Sequence, residues 1–142
     1  METKESARPR VVVADDSESM VRIVSRIACL QFEVVGVARD GQAAIDAVLR
    51  LRPDVLVLDI FMPVYDGIQV VRRLKAQKSD SRIIILTGLE NQEYMDAAMA
   101  AGASGFVFKS RMASDLLRAI GDVLAGRKFV SAQTAREPGE TP

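Results

Sequence analysis

The stretch Val55-Leu56-Val57-Leu58-Asp59-Ile60-Phe61-Met62-Pro63 decides how the rest of this chain is read. Four consecutive aliphatic residues predict a strand buried on both faces, the habit of parallel sheets. The run stops at an acid, Asp59, and Met62-Pro63 then forces the backbone out of regular structure. A carboxylate at the carboxyl end of a buried parallel strand lies where open α/β sheets carry their chemistry. Taken alone, Asp59 could equally cap the strand or begin a turn. The ends of the other strands decide the matter.

Working outward, β-branched runs predict strands at 10–14, 33–38, 82–86 and 105–108. Helices are predicted between them. Ser17 offers an N-cap and Glu18 first-turn negative charge for a helix whose expected apolar face is Met20, Ile23, Val24, Ile27 and Leu30. Lone Cys29 falls at its end and reads as a small core or flank residue. A second helix over 41–51 is expected to bury Ala44, Ile45, Val48 and Leu49, and a third Ile68, Val70, Val71 and Leu74. The Arg72, Arg73, Lys75 and Lys78 run then forms a solvated face. The Ala-rich segment 91–101, with Met95 and Met99 as core residues, has small side chains and should be loosely held, with Gly102 as its C-cap. The last helix, 113–124, is expected to bury Leu116, Leu117, Ile120, Val123 and Leu124. Five alternations of strand and helix predict a five-stranded parallel sheet of order 2-1-3-4-5, doubly wound and flavodoxin-like, with helices on both faces. The expected organisation is a disordered leader at 1–9, one domain over 10–126 and an unstructured polar tail at 127–142.

Bulk composition narrows the chemistry. With 19 Lys plus Arg against 19 Asp plus Glu, the net charge is zero, which argues against a general nucleic-acid or membrane-surface binder. A single Cys rules out an internal disulfide, and the absence of His removes Ser-His and Cys-His mechanisms and His-ligated metals. Any metal must be held by oxygen, so Mg²⁺ leads and Mn²⁺ or Ca²⁺ follow. No stretch is apolar enough to span a membrane and the first residues lack a signal core, so a cytoplasmic location is expected.

Asp15-Asp16 end the first strand, Asp59 the third, Thr87 the fourth and Lys109 the fifth. In the expected sheet the first and third strands are neighbours, roughly 4.8 Å apart, so the three carboxylates crowd together and stay ionised only beside a cation. Mg²⁺ would take two carboxylates and a backbone carbonyl near Phe61. A carboxylate nucleophile with a hydroxyl and an ammonium nearby suits phosphoryl transfer, in which charge on three equatorial oxygens must be neutralised. Asp59 is then the nucleophile, Thr87 and Lys109 the charge partners, and Gly88 leaves room for the incoming group.

These residues resemble the response-regulator receiver family of two-component signalling over about Arg10 to Gly126. Asp15-Asp16, Leu58-Asp59 with Met62-Pro63 and Asp66-Gly67, Thr87, Gly102-Ala103-Ser104-Gly105-Phe106 and Lys109 carry the resemblance. It implies that Asp59 is the phosphoacceptor charged by a sensor histidine kinase. Asp15 and Asp16 hold Mg²⁺, Asp16 the more directly; Thr87 and Phe106 form the switch pair, and Lys109 is the phosphate partner. It implies a signalling module, not a turnover enzyme, whose 91–126 face meets a downstream effector or, on phosphorylation, a second copy. Ala125 to Ser131 looks like the linker that leads, in one large subfamily, to a helix-turn-helix domain absent from this sequence.

Three departures stand out. Ser110 replaces the usual Pro, leaving the isomer of the Lys109–Ser110 bond open. Phe106 stands where Tyr is frequent. Phe61 and Leu89 are apolar where they border the family's site, which predicts slow water attack and a long-lived phosphoaspartate. Three rivals are weaker. A haloacid-dehalogenase-type phosphatase wants a second Asp at position 61, a flavodoxin-like cofactor binder wants a Gly/Ser/Thr-rich first loop, and a docking module kept unphosphorylated would not need the intact acid set.

Overall fold

The computed structural model describes residues 8–132. Strands β1 (Arg10–Ala14), β2 (Glu33–Ala38), β3 (Val55–Leu58), β4 (Arg82–Thr87), β5 (Gly105–Phe108) and β6 (Phe129–Val130) form one sheet of order β2-β1-β3-β4-β5-β6. Every pairing is parallel. Between them run α1 (Glu18–Ala28), α2 (Gly41–Leu51), α3 (Gly67–Ala76), α4 (Gln92–Ala101) and α5 (Met112–Leu124).

The alternation of side chains along each strand divides the core in two. Leu56, Leu58, Ile83, Ile85, Phe106 and Phe108 point to one face, under Ala44 and Val48 of α2, Val70 and Leu74 of α3, and Met95 and Ala98 of α4. Val55, Val57, Ile84, Leu86 and Val107 point to the other, under Val24 of α1 and Leu116, Ile120 and Val123 of α5. The expected α/β architecture and the 2-1-3-4-5 order hold, with one strand added.

That strand overturns the expectation of an unstructured tail at its near end. Phe129 is buried among Val107, Leu116 and Val123, its N–H donates to the Ser104 carbonyl (3.2 Å), and the Ser131 N–H donates to the Phe106 carbonyl (2.9 Å). An open β5 edge offers unpaired backbone groups, and one aromatic residue suffices to anchor a segment against it. The rest of the expected tail, 133–142, and of the leader, 1–7, lies outside the described residues. Arg8 and Pro9, assigned to that leader, belong to the fold instead: the Arg8 guanidinium donates to the Cys29 carbonyl, and the Pro9 carbonyl accepts the Glu33 N–H.

Two helix faces also differ from expectation. In α1 the buried residues are Val21, Val24 and Ala28, while Ile23 and Leu30 are exposed; in α2 Ala47 is buried and Leu49 is exposed. The rest of each expected face holds: Val24 is buried and Met20 and Ile27 half-buried in α1, and Ala44, Ile45 and Val48 are buried in α2, with Ala28 and Ala47 as the small residues added. Cys29 is exposed at the C-cap of α1.

Candidate functional site

The carboxyl ends of β1, β3, β4 and β5 all open on the same rim of the sheet because all four strands run parallel. Asp15 follows β1, Asp59 follows β3, Thr87 closes β4 and Lys109 follows β5. Register fixes the neighbours: Ala14 pairs with Leu58, and Thr87 with Phe108. One carboxylate oxygen from each of Asp15, Asp16 and Asp59 lies within 4.8 Å of the others. Lys109 Nζ reaches Asp15 Oδ2 at 3.0 Å and Asp59 Oδ2 at 3.5 Å.

The loop after Asp59 is held close by two features. Asp66 caps α3 in a reciprocal box with Gln69, and the Gly67 N–H donates to the Ile60 carbonyl at 2.6 Å. A Cβ on Gly67 would stand 2.5 Å from the Asp59 carbonyl oxygen, so only glycine lets α3 start this near the acid. Between them Val64 is held at φ 73°, a region β-branched residues avoid.

The electrostatics are incompletely balanced. Asp15 Oδ1 accepts the Ser17 N–H (2.9 Å), but buried Oδ2 accepts no hydrogen bond among the described residues; Lys109 is close to it only as a charge. Burial pushes the Asp59 carboxyl above its ordinary value; Lys109 works against this, and the Asp15 charge adds to it. Three clustered acids, two of them sharing one ammonium and one with an unbonded buried oxygen, form a donor set that fits a hard, oxygen-ligated divalent cation. Asp16 is the exposed member, its backbone carbonyl tied to Arg39 (2.9 Å).

The remaining candidates are placed as follows. Thr87 is buried, and its hydroxyl accepts the Leu89 N–H (3.3 Å) but makes no hydrogen bond to Asp59. Phe106 is fully buried on the α4 side of the sheet, edge-on to Phe108 at 5.8 Å. Phe61 is 47 % exposed, and its ring meets that of Tyr94 in α4 edge-to-face, centroids 5.4 Å apart at 87°. Gly88 is exposed, with only the Lys109 stem near its open side. The Lys109–Ser110 bond is trans, and Ser110 donates to Glu90 (3.4 Å).

Sequence reasoning missed Asp115. It is buried in α5, where its carboxylate accepts from Ser131 Oγ (2.7 Å) and Arg111 Nε (3.1 Å) at one oxygen and Ser114 Oγ (3.2 Å) at the other. The helical period could have found it, since it precedes Leu116 on the same face as Ala119 and Ile120. A recess of about 610 Å³ at the opposite, amino end of the sheet, lined in part by Arg52, Asp54, Lys78 and Arg82, includes none of the candidate residues.

Residues 11–121 match the family described as response regulator receiver domain. The chain is 33 % identical over 115 residues to the chemotaxis protein CheY of Halobacterium salinarum, covering 81 % of this chain and 96 % of that protein. It is 38 % identical over 128 residues to the DNA-binding transcriptional activator DevR/DosR of Mycobacterium tuberculosis, covering 89 % of this chain and 59 % of the relative. The signal receiver domain of the response regulator NarL from Mycobacterium tuberculosis superposes with a TM-score of 0.82 at 32 % identity, over 85 % of this chain and 99 % of that one. This chain spans 57–63 % of the length of three regulators that it also matches. No helix among the described residues is long and apolar enough to cross a membrane.

Proposed function

This chain belongs to the response regulator receiver domain family, and we propose that within it Asp59 accepts a phosphoryl group from the phosphohistidine of a sensor kinase. The Asp59 oxygen attacks phosphorus, the P–N bond to imidazole breaks as the P–O bond forms, and the released imidazole takes up a proton. The crowding of Asp15, Asp16 and Asp59 carboxylates within 4.8 Å, with Lys109 over two of them, is the observation that carries this reading.

Asp15, Asp16, Asp59 and the Phe61 backbone carbonyl would hold Mg²⁺, or Mn²⁺, which when bound neutralises charge on the phosphoryl oxygens. Lys109 leaves the carboxylate pair to meet the new dianion, a charge-assisted bond stronger than a neutral one. Thr87 exchanges its bond from the Leu89 N–H for one to phosphate. Phe106, on the same side of the sheet as Met95 and Ala98 of α4, fills the space that Thr87 vacates. The phosphoryl-bound state then favours a second arrangement of α4, β5 and α5; moving such an equilibrium from 1:99 to 99:1 takes about 5.5 kcal/mol.

The chain is in this reading a cytoplasmic signalling module, its receiver fold extending past the expected 10–126 to include β6, with no turnover of its own. Its partners are a histidine kinase and a downstream effector, output domain or second copy. It contacts no nucleic acid or membrane directly. Mass spectrometry after treatment with a small acyl phosphate and Mg²⁺ tests it: wild type gains one phosphate, and Asp59→Asn gains none. Phosphate on Asp59→Asn would refute the assignment.

A further inference from the structure

We propose that Tyr94, acting through the ring of Phe61, is a positioning residue that shields phosphorylated Asp59 from water. This rests on the reading of Asp59 as phosphoacceptor. Phe61 leaves β3 two residues after Asp59, and Tyr94 stands in the first turns of α4, beyond the end of β4. Since β3 and β4 are neighbours, the contact between these rings ties the loop that follows Asp59 to the segment that follows Thr87. Leu89, whose N–H donates to the Thr87 hydroxyl, is exposed as well.

The two rings are not equivalent. Phe61 is nearly half exposed on a loop and by itself would sample several rotamers. Tyr94 is mounted on a helix whose N-cap, Asn91, accepts its N–H at 3.1 Å, and its ring packs against the core that contains Phe106. Tyr94 therefore fixes Phe61. The Tyr94 hydroxyl makes no hydrogen bond among the described residues, so the ring face and not the hydroxyl carries the effect. An apolar strap here excludes the water whose oxygen must reach phosphorus in line with the Asp59–phosphorus bond. Because the strap is anchored on α4, any motion of that helix also uncovers the phosphate, which ties its lifetime to the conformational state.

The rate of phosphate loss from Asp59, followed on the full chain after removal of the acyl phosphate donor, tests the inference. Tyr94→Ala should release phosphate about two- to ten-fold faster, the range set by one edge-to-face aromatic pair, and Tyr94→Phe should match wild type. Phe61→Ala should accelerate release, and adding Tyr94→Ala to it should accelerate it no further, which a general loosening of α4 would not give. Wild-type lifetime in Tyr94→Ala, acceleration in Tyr94→Phe, or additive effects in the double variant would each overturn the inference and leave the acceptor reading intact. Failure of wild type itself to take up phosphate would overturn both.

Discussion

Asp15 and Asp115 are both carboxylates that are only 2 % exposed, and their circumstances are opposite. Asp115 meets Ser131, Arg111, Ser114 and Arg118 within 3.4 Å, so both its oxygens are bonded. Burial pushes its carboxyl up, but the Ser131, Arg111 and Ser114 hydrogen bonds outweigh this and hold it below the usual range. Asp15 shares one ammonium with Asp59 and keeps a buried oxygen unbonded, while the Asp59 carboxyl is held above the usual range. The satisfied acid builds structure: it pins β6 to β5 and α5. The unsatisfied pair stores unfavourable energy that a cation or a phosphoryl group can relieve, so chemistry belongs at the acids that the protein leaves incompletely paired.

This contrast can be broken most directly at Asp115. Asp115→Ala should cost about 2–3 kcal/mol in urea unfolding, because it strands buried Ser131 and removes the charge-assisted bonds. Solvent screens the Arg118 side of the cluster, which holds the figure below that of a fully buried pair. Hydrogen exchange at Phe129 and Ser131 should rise in the same variant. An unchanged β6 would mean that Phe129 packing alone holds the strand.

At the other pole, Asp59→Asn should raise stability by about 1–2 kcal/mol at neutral pH in chelator, by removing a buried like charge. The two acids also differ in the sign of their pH dependence. Asp115, lowered from 3.8, contributes stability that is present above that value and lost as pH falls through its folded value. Asp59, raised from 3.8, makes the native state lose stability as pH climbs from 3.8 through its higher folded value. Unfolding titrations should therefore show Asp59→Asn flattening the decline above 3.8 and Asp115→Asn weakening the rise below it. Equal profiles for the two variants would erase the distinction.

The smallest effect concerns the loop that follows Asp59. Val64 holds φ 73° with its side chain exposed, so little packing is at stake. Relief of a left-handed β-branched residue outweighs the added chain entropy of glycine, and Val64→Gly should gain about 0.5–1 kcal/mol in the melting analysis. A loss would show that the valine side chain makes a contact worth more than the strain.

The acid pocket was legible in the sequence because its members close successive parallel strands, and topology brings such ends together whatever the loops do. Val55 to Leu58 announces a strand buried on both sides, and a buried parallel sheet leaves only its rim for polar side chains. The helix faces were harder. In α1 the rows Met20–Val24–Ile27 and Val21–Val24–Ala28 share a residue and differ by a small rotation; hydrophobicity favours the first, which is only half-buried at Met20 and Ile27, while the second is buried throughout. Asp115 looked like one more polar position, since its shortest hydrogen bond comes from Ser131, 16 residues on, and its Arg and Ser neighbours in α5 read as an ordinary polar helix face.

By itself, then, the sequence determined the alternation of strands and helices and the delivery of Asp15, Asp16, Asp59, Thr87 and Lys109 to one rim, since both follow from local periodicity and strand direction. Only tertiary structure decided which helix rows met the sheet, that residues 129–130 joined it as a sixth strand, and that Phe61 found Tyr94. Each of these depends on close packing between segments far apart in the chain, where a rotation or an added contact changes the energy without leaving a mark on the local pattern.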